Sequence, residues 1–163
     1  MSQNKKIEPL QLTNSTIVPV RFSEVDALGI VWHGHYLKFF EDGRESFGRE
    51  YELGYLDAYK HKFATPLVKI NVDFKKIVKY GDQVKIVTTY SDSPAAKILF
   101  KYEIFRLSDG ELVAMGESTQ VFMNMEHELH ITIPPFFEEW KKKNLKIETL
   151  THKKSLLSQS INN

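Results

Sequence analysis

The stretch at residues 20–45, VRFSEVDALGIVWHGHYLKFFEDGRE, decides the fold of this chain. It overlaps the end of a β-branched and aromatic run at 16–25, whose composition predicts a strand. Asp26 follows directly, and Gly29, which tolerates backbone conformations closed to other residues, allows a tight bend. The segment 34–51 carries aromatic residues at steps of four, seven and four, which predicts a helix with one apolar stripe.

The order acid, glycine and helix start has a chemical meaning. The first N–H groups of a helix have no partner inside the helix, and its positive end favours an anion. Asp26 is therefore predicted to lie beside a site that can stabilise a developing oxyanion.

The rest of the chain alternates apolar and polar residues, which predicts a sheet. Short turns join the strands, so neighbours are antiparallel, and the helix must bury its apolar stripe against the sheet. We predict an α+β fold in which one long helix is wrapped by a curved antiparallel sheet of about five strands. Beyond the first strand these are 68–74, 84–90, 98–104 and 113–123, the last with Gly116 at a bulge. A short helix is predicted after Pro134-Pro135.

The length of 163 residues suits one domain. We predict a flexible N-terminus at 1–14, the folded domain at 15–143 and a mobile C-terminal tail at 144–163. The net charge of +1 gives no reason to expect nucleic acid or a membrane as partner. The chain has no cysteine, which excludes disulfides and cysteine nucleophiles and fits a reducing compartment. No run approaches the roughly 20 apolar residues of a membrane span, so a cytoplasmic protein is expected.

The pattern D-x-x-G-x-V-x-H-x-x-Y-x-x-x-x-E over residues 26–41 resembles the signature of the 4-hydroxybenzoyl-CoA thioesterase family. These are hotdog-fold acyl-CoA thioesterases, and the similarity is greatest to the branch associated with the Tol-Pal system. One difference from that branch is Phe22, which stands where the branch has tyrosine. The resemblance implies a hotdog fold and hydrolysis of an acyl-CoA thioester. No cofactor is implied, because CoA is part of the substrate.

The resemblance also implies roles for particular residues. Asp26 would act as general base or as nucleophile, and the sequence leaves both mechanisms open. His33 would be a catalytic partner through its side chain, or it would supply a backbone N–H to the oxyanion hole together with Gly34. Further residues are expected to line the substrate pocket: Tyr36, His35 and Trp32. Glu41 has Arg44 three residues later, which favours a structural ion pair.

Phosphate binding and metal binding are the two other kinds of site that bear on these residues. Lys75 and Lys97, near strand ends, are candidates to bind the phosphates of CoA. A metal site is not predicted, because Asp26 and the two histidines of His33-Gly-His35 have no further strong ligand at a motif spacing.

Alternative functions remain open from the sequence. A thioesterase acting on acyl-carrier protein would need a basic docking face, for which the lysine runs at 75–76 and 141–143 are candidates. A hotdog enoyl or 3-hydroxyacyl thioester hydratase would have its Asp and His five residues apart with Asn-Pro between them, whereas here they are seven apart. A non-catalytic acyl-thioester sensor lacks support, because no DNA-reading segment is visible. The alternating edge at 68–74 predicts a homodimer or homotetramer with sites built across subunits.

Overall fold

The computed structural model of the protein describes residues 11–145. Two 3₁₀ turns, Phe22–Glu24 and His33–His35, precede the long helix α1, Tyr36–Tyr51. The short helix α2 spans Tyr55–Lys60, and a last helix, α3, occupies 135–145. The strands are β1 Gln11–Pro19, β2 Leu67–Phe74, β3 Gln83–Ser91, β4 Lys97–Arg106, β5 Leu112–Met123 and β6 Leu129–His130.

The strands form one antiparallel sheet in the order β1-β3-β4-β5-β2, and the two-residue β6 pairs with the end of β5. Helix α1 packs against β1 and β3. The predicted architecture, one long helix wrapped by a curved antiparallel sheet, is therefore confirmed. The short β6 is an addition that the sequence did not indicate.

Aromatic residues join α1 to the sheet. The ring of Phe40 stacks on Tyr102 at 4.2 Å between centroids, and Phe47 meets Phe100 edge-on at 5.0 Å. All four side chains are almost completely buried. The alternation predicted in β3 and β4 is confirmed by their regularly alternating burial.

The first strand lies earlier in the chain than predicted, at Gln11–Pro19 instead of 16–25. It begins at Gln11, because Leu12 is buried opposite Tyr90 of β3, so residues 11–14 are paired rather than loose. It ends at Pro19, because the carboxylate of Glu24 accepts the backbone N–H of Arg21 at 2.8 Å and closes a 3₁₀ turn.

The predicted bulge is in β5, but not at Gly116. The extra residue is Val113, which falls between the partners of Ile104 and Phe105, and its carbonyl accepts N–H groups from both Lys75 and Lys76. Gly116 lies in regular register. Its lack of a side chain makes room for Phe40, whose ring carbons would be 2.6 Å from an added Cβ.

Helix α3 begins after Pro134, as predicted, and packs its Phe137 and Trp140 rings into the core. Asn144 and Leu145, expected in a mobile tail, still belong to this helix and are buried. The remainder of the two predicted terminal segments, 1–10 and 146–163, lies outside the described residues.

Strand β2 lies at one edge of the sheet and is largely exposed, including Leu67, Val68 and Phe74. The alternation of β2 predicted a strand with one buried face. In the single protomer most of its residues are exposed. Among residues 11–145, no helix is long and apolar enough to cross a membrane.

Candidate active site

Asp26 lies in the turn of a short hairpin. Val25 and Val31 form an antiparallel bridge, and the N–H of Asp26 donates to Ile30 at 2.9 Å. Gly29 donates its N–H to the Asp26 carbonyl at 2.9 Å and has φ +72°, a conformation that favours glycine. The predicted tight bend after Asp26 is thus confirmed.

The side chain of Asp26 is oriented by the same turn. Its Oδ1 accepts the backbone N–H of Leu28 at 2.8 Å, and the residue is half-buried. Within residues 11–145, Oδ2 has no hydrogen-bond partner. One carboxylate oxygen therefore fixes the orientation while the other stays available to a water molecule or a substrate.

The start of the helix carries unpaired donors. His35 donates its N–H to Trp32 at 2.9 Å, and Tyr36 donates to His33. The N–H groups of His33 and Gly34 have no acceptor in the part of the chain that the structure describes. Two adjacent free donors at the positive end of α1 can bind an oxyanion.

Trp32 covers this turn. Its ring lies over Gly34, where an added Cβ would overlap the indole, and it is 4.7 Å from the His33 ring and 5.6 Å from the His35 ring between centroids. The backbone N–H of Trp32 donates to the Glu24 carbonyl at 2.9 Å, which joins the hairpin to the preceding 3₁₀ turn. Gly34 is thus required by the close approach of the indole.

His33 is exposed, and its ring contacts Trp32 rather than Asp26. The structure therefore brings Asp26 and the helix N-terminus together on one hairpin–helix unit. It does not bring the His33 and Asp26 side chains into contact in the single protomer.

A buried acid secures this unit to α1. The side chain of Glu24 is 2% exposed, and Oε1 lies 3.7 Å from the Arg21 guanidinium and 3.6 Å from the Lys38 ammonium. Asp42, one turn after Lys38, is half-buried beside the same group, and burial raises its pKa against the opposing effect of Arg21 and Lys38. No motif marks Glu24 in the sequence; its signal is only an acid at the end of an apolar strand-like run.

Tyr36 begins α1 and points into the core. Its ring lies 5.7 Å from Phe39 and 5.0 Å from Phe74 between centroids, and burial raises the pKa of its hydroxyl. It therefore anchors the helix start to the end of β2.

The two lysines predicted to bind CoA are far apart. Lys75 follows Phe74, which pairs with Ala114, whereas Lys97 pairs with Val121. Seven residues of β5 separate these positions, about 23 Å. Only Lys75 lies at the same end of the sheet as Asp26, so one protomer cannot use both lysines on one phosphate group.

A cavity of about 740 Å³ lies at the other end of α1 and is not lined by Asp26 or His33. Its walls are the face of α1 from Glu41 to Glu52, helix α2, and Ile98, Phe100 and Gln120 of the sheet. The predicted Glu41–Arg44 ion pair is present at 3.9 Å.

Arg44 has a second contact that the sequence did not reveal. Its Nη1 donates to the Tyr102 hydroxyl at 3.0 Å, which lies 2.6 Å from the Ser118 hydroxyl. The sequence feature that could have indicated this contact is a tyrosine and a serine on the apolar faces of adjacent strands. No group of three or more His, Cys, Asp or Glu side chains between residues 11 and 145 could hold a metal ion.

Comparison with known proteins shows the family and the fold. The profile of the thioesterase-like superfamily matches residues 20–141. A Bacillus subtilis (strain 168) relative, YneP, whose assignment as an acyl-CoA thioesterase is provisional, is 30% identical over 123 residues, which cover 76% of this chain and 88% of that protein.

Two solved structures share the fold. The DHNA-CoA thioesterase of Staphylococcus aureus has a TM-score of 0.76 at 26% identity, over 86% of this chain and 94% of that chain. The 4-hydroxybenzoyl-CoA thioesterase of Pseudomonas sp. strain CBS-3 has a TM-score of 0.68 at 20% identity, over 78% of this chain and 98% of that chain.

The chain therefore belongs to the thioesterase-like superfamily, with a hotdog fold. The predicted family is confirmed, and with it the class of enzyme, a thioester hydrolase.

Proposed function

We propose that this enzyme hydrolyses an acyl-CoA thioester to the free acid and CoA. The observation that carries the proposal is the pair of free N–H groups at His33 and Gly34, on the same hairpin–helix unit as the half-free carboxylate of Asp26. A thioester carbonyl at the helix N-terminus gains stabilisation as its oxygen becomes negative.

The reaction follows from these two groups. Asp26 accepts a proton from water, and the water oxygen attacks the carbonyl carbon. The resulting oxyanion accepts hydrogen bonds from the N–H groups of His33 and Gly34. When the carbonyl re-forms, the C–S bond breaks and the departing thiolate takes the proton from Asp26. Direct attack by Asp26, through an anhydride that water then opens, uses the same geometry.

The backbone is the more direct role for His33. Its N–H has no acceptor among residues 11–145, and its imidazole is exposed and packed on Trp32. In this proposal the side chain assists binding or proton exchange at the mouth of the site, while the amide stabilises the oxyanion.

CoA is favoured over acyl-carrier protein as the carrier. In the run at 141–143, Lys141 pairs with Asp92 at 2.7 Å, Lys142 with Glu139 at 2.9 Å and Lys143 with Glu52. Each of these lysines therefore has an acidic partner within the protomer, which leaves the run at 75–76 as the basic candidate for carrier-protein docking. The two solved structures described above are named as thioesterases of CoA thioesters.

The active form in this proposal is a homodimer that pairs two β2 edges. β2 has a free edge and exposes Leu67, Val68 and Phe74, which a second copy would cover. A two-fold axis between antiparallel β2 strands reverses the direction of α1, so the two long helices lie antiparallel on one face of a continuous sheet.

The proposal is tested by thiol release from short-chain, long-chain and aromatic acyl-CoAs, beside the same acyl groups on acyl-carrier protein and the hydration of an enoyl-CoA. We expect turnover of CoA esters, with kcat/KM at least about tenfold above that for the carrier-protein esters. Hydration of the enoyl-CoA without release of thiol would contradict the proposal, as would release from carrier protein alone.

A further inference from the structure

The cavity beside α1 is partly apolar and has one interior charge. Ile98, Phe100, Leu53 and Ala58 form its buried walls. The side chain of Arg44 is 16% exposed, whereas its acidic neighbour Glu41 is 69% exposed and only 3.9 Å away. The guanidinium is therefore drawn into the wall of the cavity, with its acidic partner outside in water.

The hydroxyl pair behind Arg44 holds the guanidinium in place. Tyr102 accepts one N–H at 3.0 Å and contacts Ser118 at 2.6 Å, and both hydroxyls are buried. Burial raises the pKa of Tyr102, so its hydroxyl stays neutral and does not compensate the charge of Arg44. A guanidinium has five N–H donors, and this network occupies few of them.

Apart from Glu41, which pairs with Arg44, the other charges around the cavity are paired with one another or with Lys143. Glu45 meets Arg49 at 2.9 Å, Asp57 meets Lys60 at 3.4 Å, and Glu52 meets Lys143. These pairs are at the solvent-exposed rim, where ion pairs contribute little. Of the lining residues that the structure describes, Arg44 is thus the cation best placed to donate hydrogen bonds into the cavity.

Within one protomer, the cavity is too far from the N-terminus of α1 for a compact acyl group to occupy the cavity while its carbonyl lies at that N-terminus. Ten residues separate Gly34 from Arg44, about 15 Å along α1. In the proposed dimer the helices are antiparallel, so the N-terminus of one helix faces toward the far half of the other. A cavity beside Arg44 can then receive an acyl group whose carbonyl is held by the second copy.

We propose that this cavity binds the acyl group of the thioester across the dimer interface, and that Arg44 selects acyl groups with an apolar body and a hydrogen-bond-accepting oxygen at the far end. A phenolic hydroxyl and a carboxylate share this chemistry. The inference rests on the proposed function and names Arg44 as a specificity-determining residue of the same site.

Binding of inert CoA thioethers tests the inference without requiring hydrolysis. The ligands carry a phenacyl, a 4-hydroxyphenacyl or a 4-carboxyphenacyl group, and calorimetry measures each Kd for wild type, Arg44→Leu and Arg49→Leu. We expect wild type to bind at least one oxygen-bearing ligand about tenfold more tightly than the phenacyl ligand. Arg44→Leu should lose that preference and keep its affinity for the phenacyl ligand, while the rim variant Arg49→Leu should behave as wild type.

The two oxygen-bearing ligands separate the hydroxyl from the carboxylate as the preferred group. Arg44→Lys is the second variant, because it keeps the charge if the leucine variant does not fold, and the loss of the planar fork should still reduce the preference. Equal weakening of all three ligands in Arg44→Leu, or no preference in wild type, would overturn the inference. A retained preference in an enzyme that cleaves no thioester would instead refute the proposed function alone.

Discussion

At the scale of single residues, three acids of the hairpin–helix unit have three different environments. Asp26 is half-buried and keeps one oxygen free, as a reacting carboxylate requires. Glu24 is buried and held by an N–H and two cations, as a structural anchor. Asp42 lies beside that anchor, where desolvation outweighs the cations. The sequence identified Asp26 because a motif surrounds it, but the difference between the three depends on burial, which residue type does not reveal.

Asp42 gives a prediction for pH dependence. Because its pKa is higher in the folded protein than in the unfolded chain, ionised Asp42 opposes folding, and this cost disappears as pH falls through the raised pKa. Asp42→Asn should therefore be more stable than wild type at pH 7.5, with the gain shrinking toward pH 4. Urea unfolding across this range measures the difference, and the exposed Glu126→Gln is the control. A variant that is less stable than wild type at pH 7.5 would show that the attraction to Arg21 and Lys38 dominates.

At the scale of elements, the sheet was predictable where burial alternates. The ends of β3 and β4 were predicted to within a few residues, because each strand has one buried and one exposed face. The start of β1 was not, because one apolar residue, Leu12, among the polar residues of 11–14 leaves little apolar signal. The role of Gly116 was also hidden, because the ring it accommodates belongs to a helix more than 70 residues earlier in the chain.

Gly116 allows a direct test of how closely α1 packs on the sheet. In Gly116→Ala the new Cβ would collide with the Asn71 carbonyl and the Phe40 ring, so we expect a loss of about 2–3 kcal/mol in unfolding free energy. The matched control is Gly81→Ala, where φ is +91° but nothing lies within 4 Å of the added carbon, with an expected cost of about 1 kcal/mol. Chemical denaturation compares the two. An equal or smaller loss at Gly116 would mean that the helix can move away without cost.

At the scale of the whole molecule, the site components lie at opposite ends of the protomer. Asp26, the helix N-terminus and Lys75 are at one end, and the cavity and Lys97 are at the other. Local patterns give the strands but not the register between distant strands, so the sequence could not tell which lysine accompanies Asp26. A second copy across β2 would bring the two ends together.

The proposed dimer is tested at its edge strand. The Val68 side chain on β2 is 58% exposed, and Val68→Glu places two like charges at the proposed interface, so the dimer should weaken by at least about tenfold. Ile17→Glu is the control, because Ile17 is 51% exposed on β1, the opposite edge of the sheet. Light scattering over a concentration series gives both dissociation constants. Equal effects of the two variants, or a monomeric wild type at micromolar concentration, would contradict the dimer through β2.

The central claim is that Asp26 performs the chemistry beside the free donors of α1. Single-turnover cleavage of the preferred acyl-CoA, with enzyme in excess, separates chemistry from binding and product release. We expect Asp26→Asn to slow the cleavage step at least about 100-fold, because an amide cannot accept the proton from water or attack the carbonyl. Its Kd for an inert CoA thioether should stay within about threefold of the wild-type value. A cleavage rate in Asp26→Asn within about threefold of wild type would contradict the account.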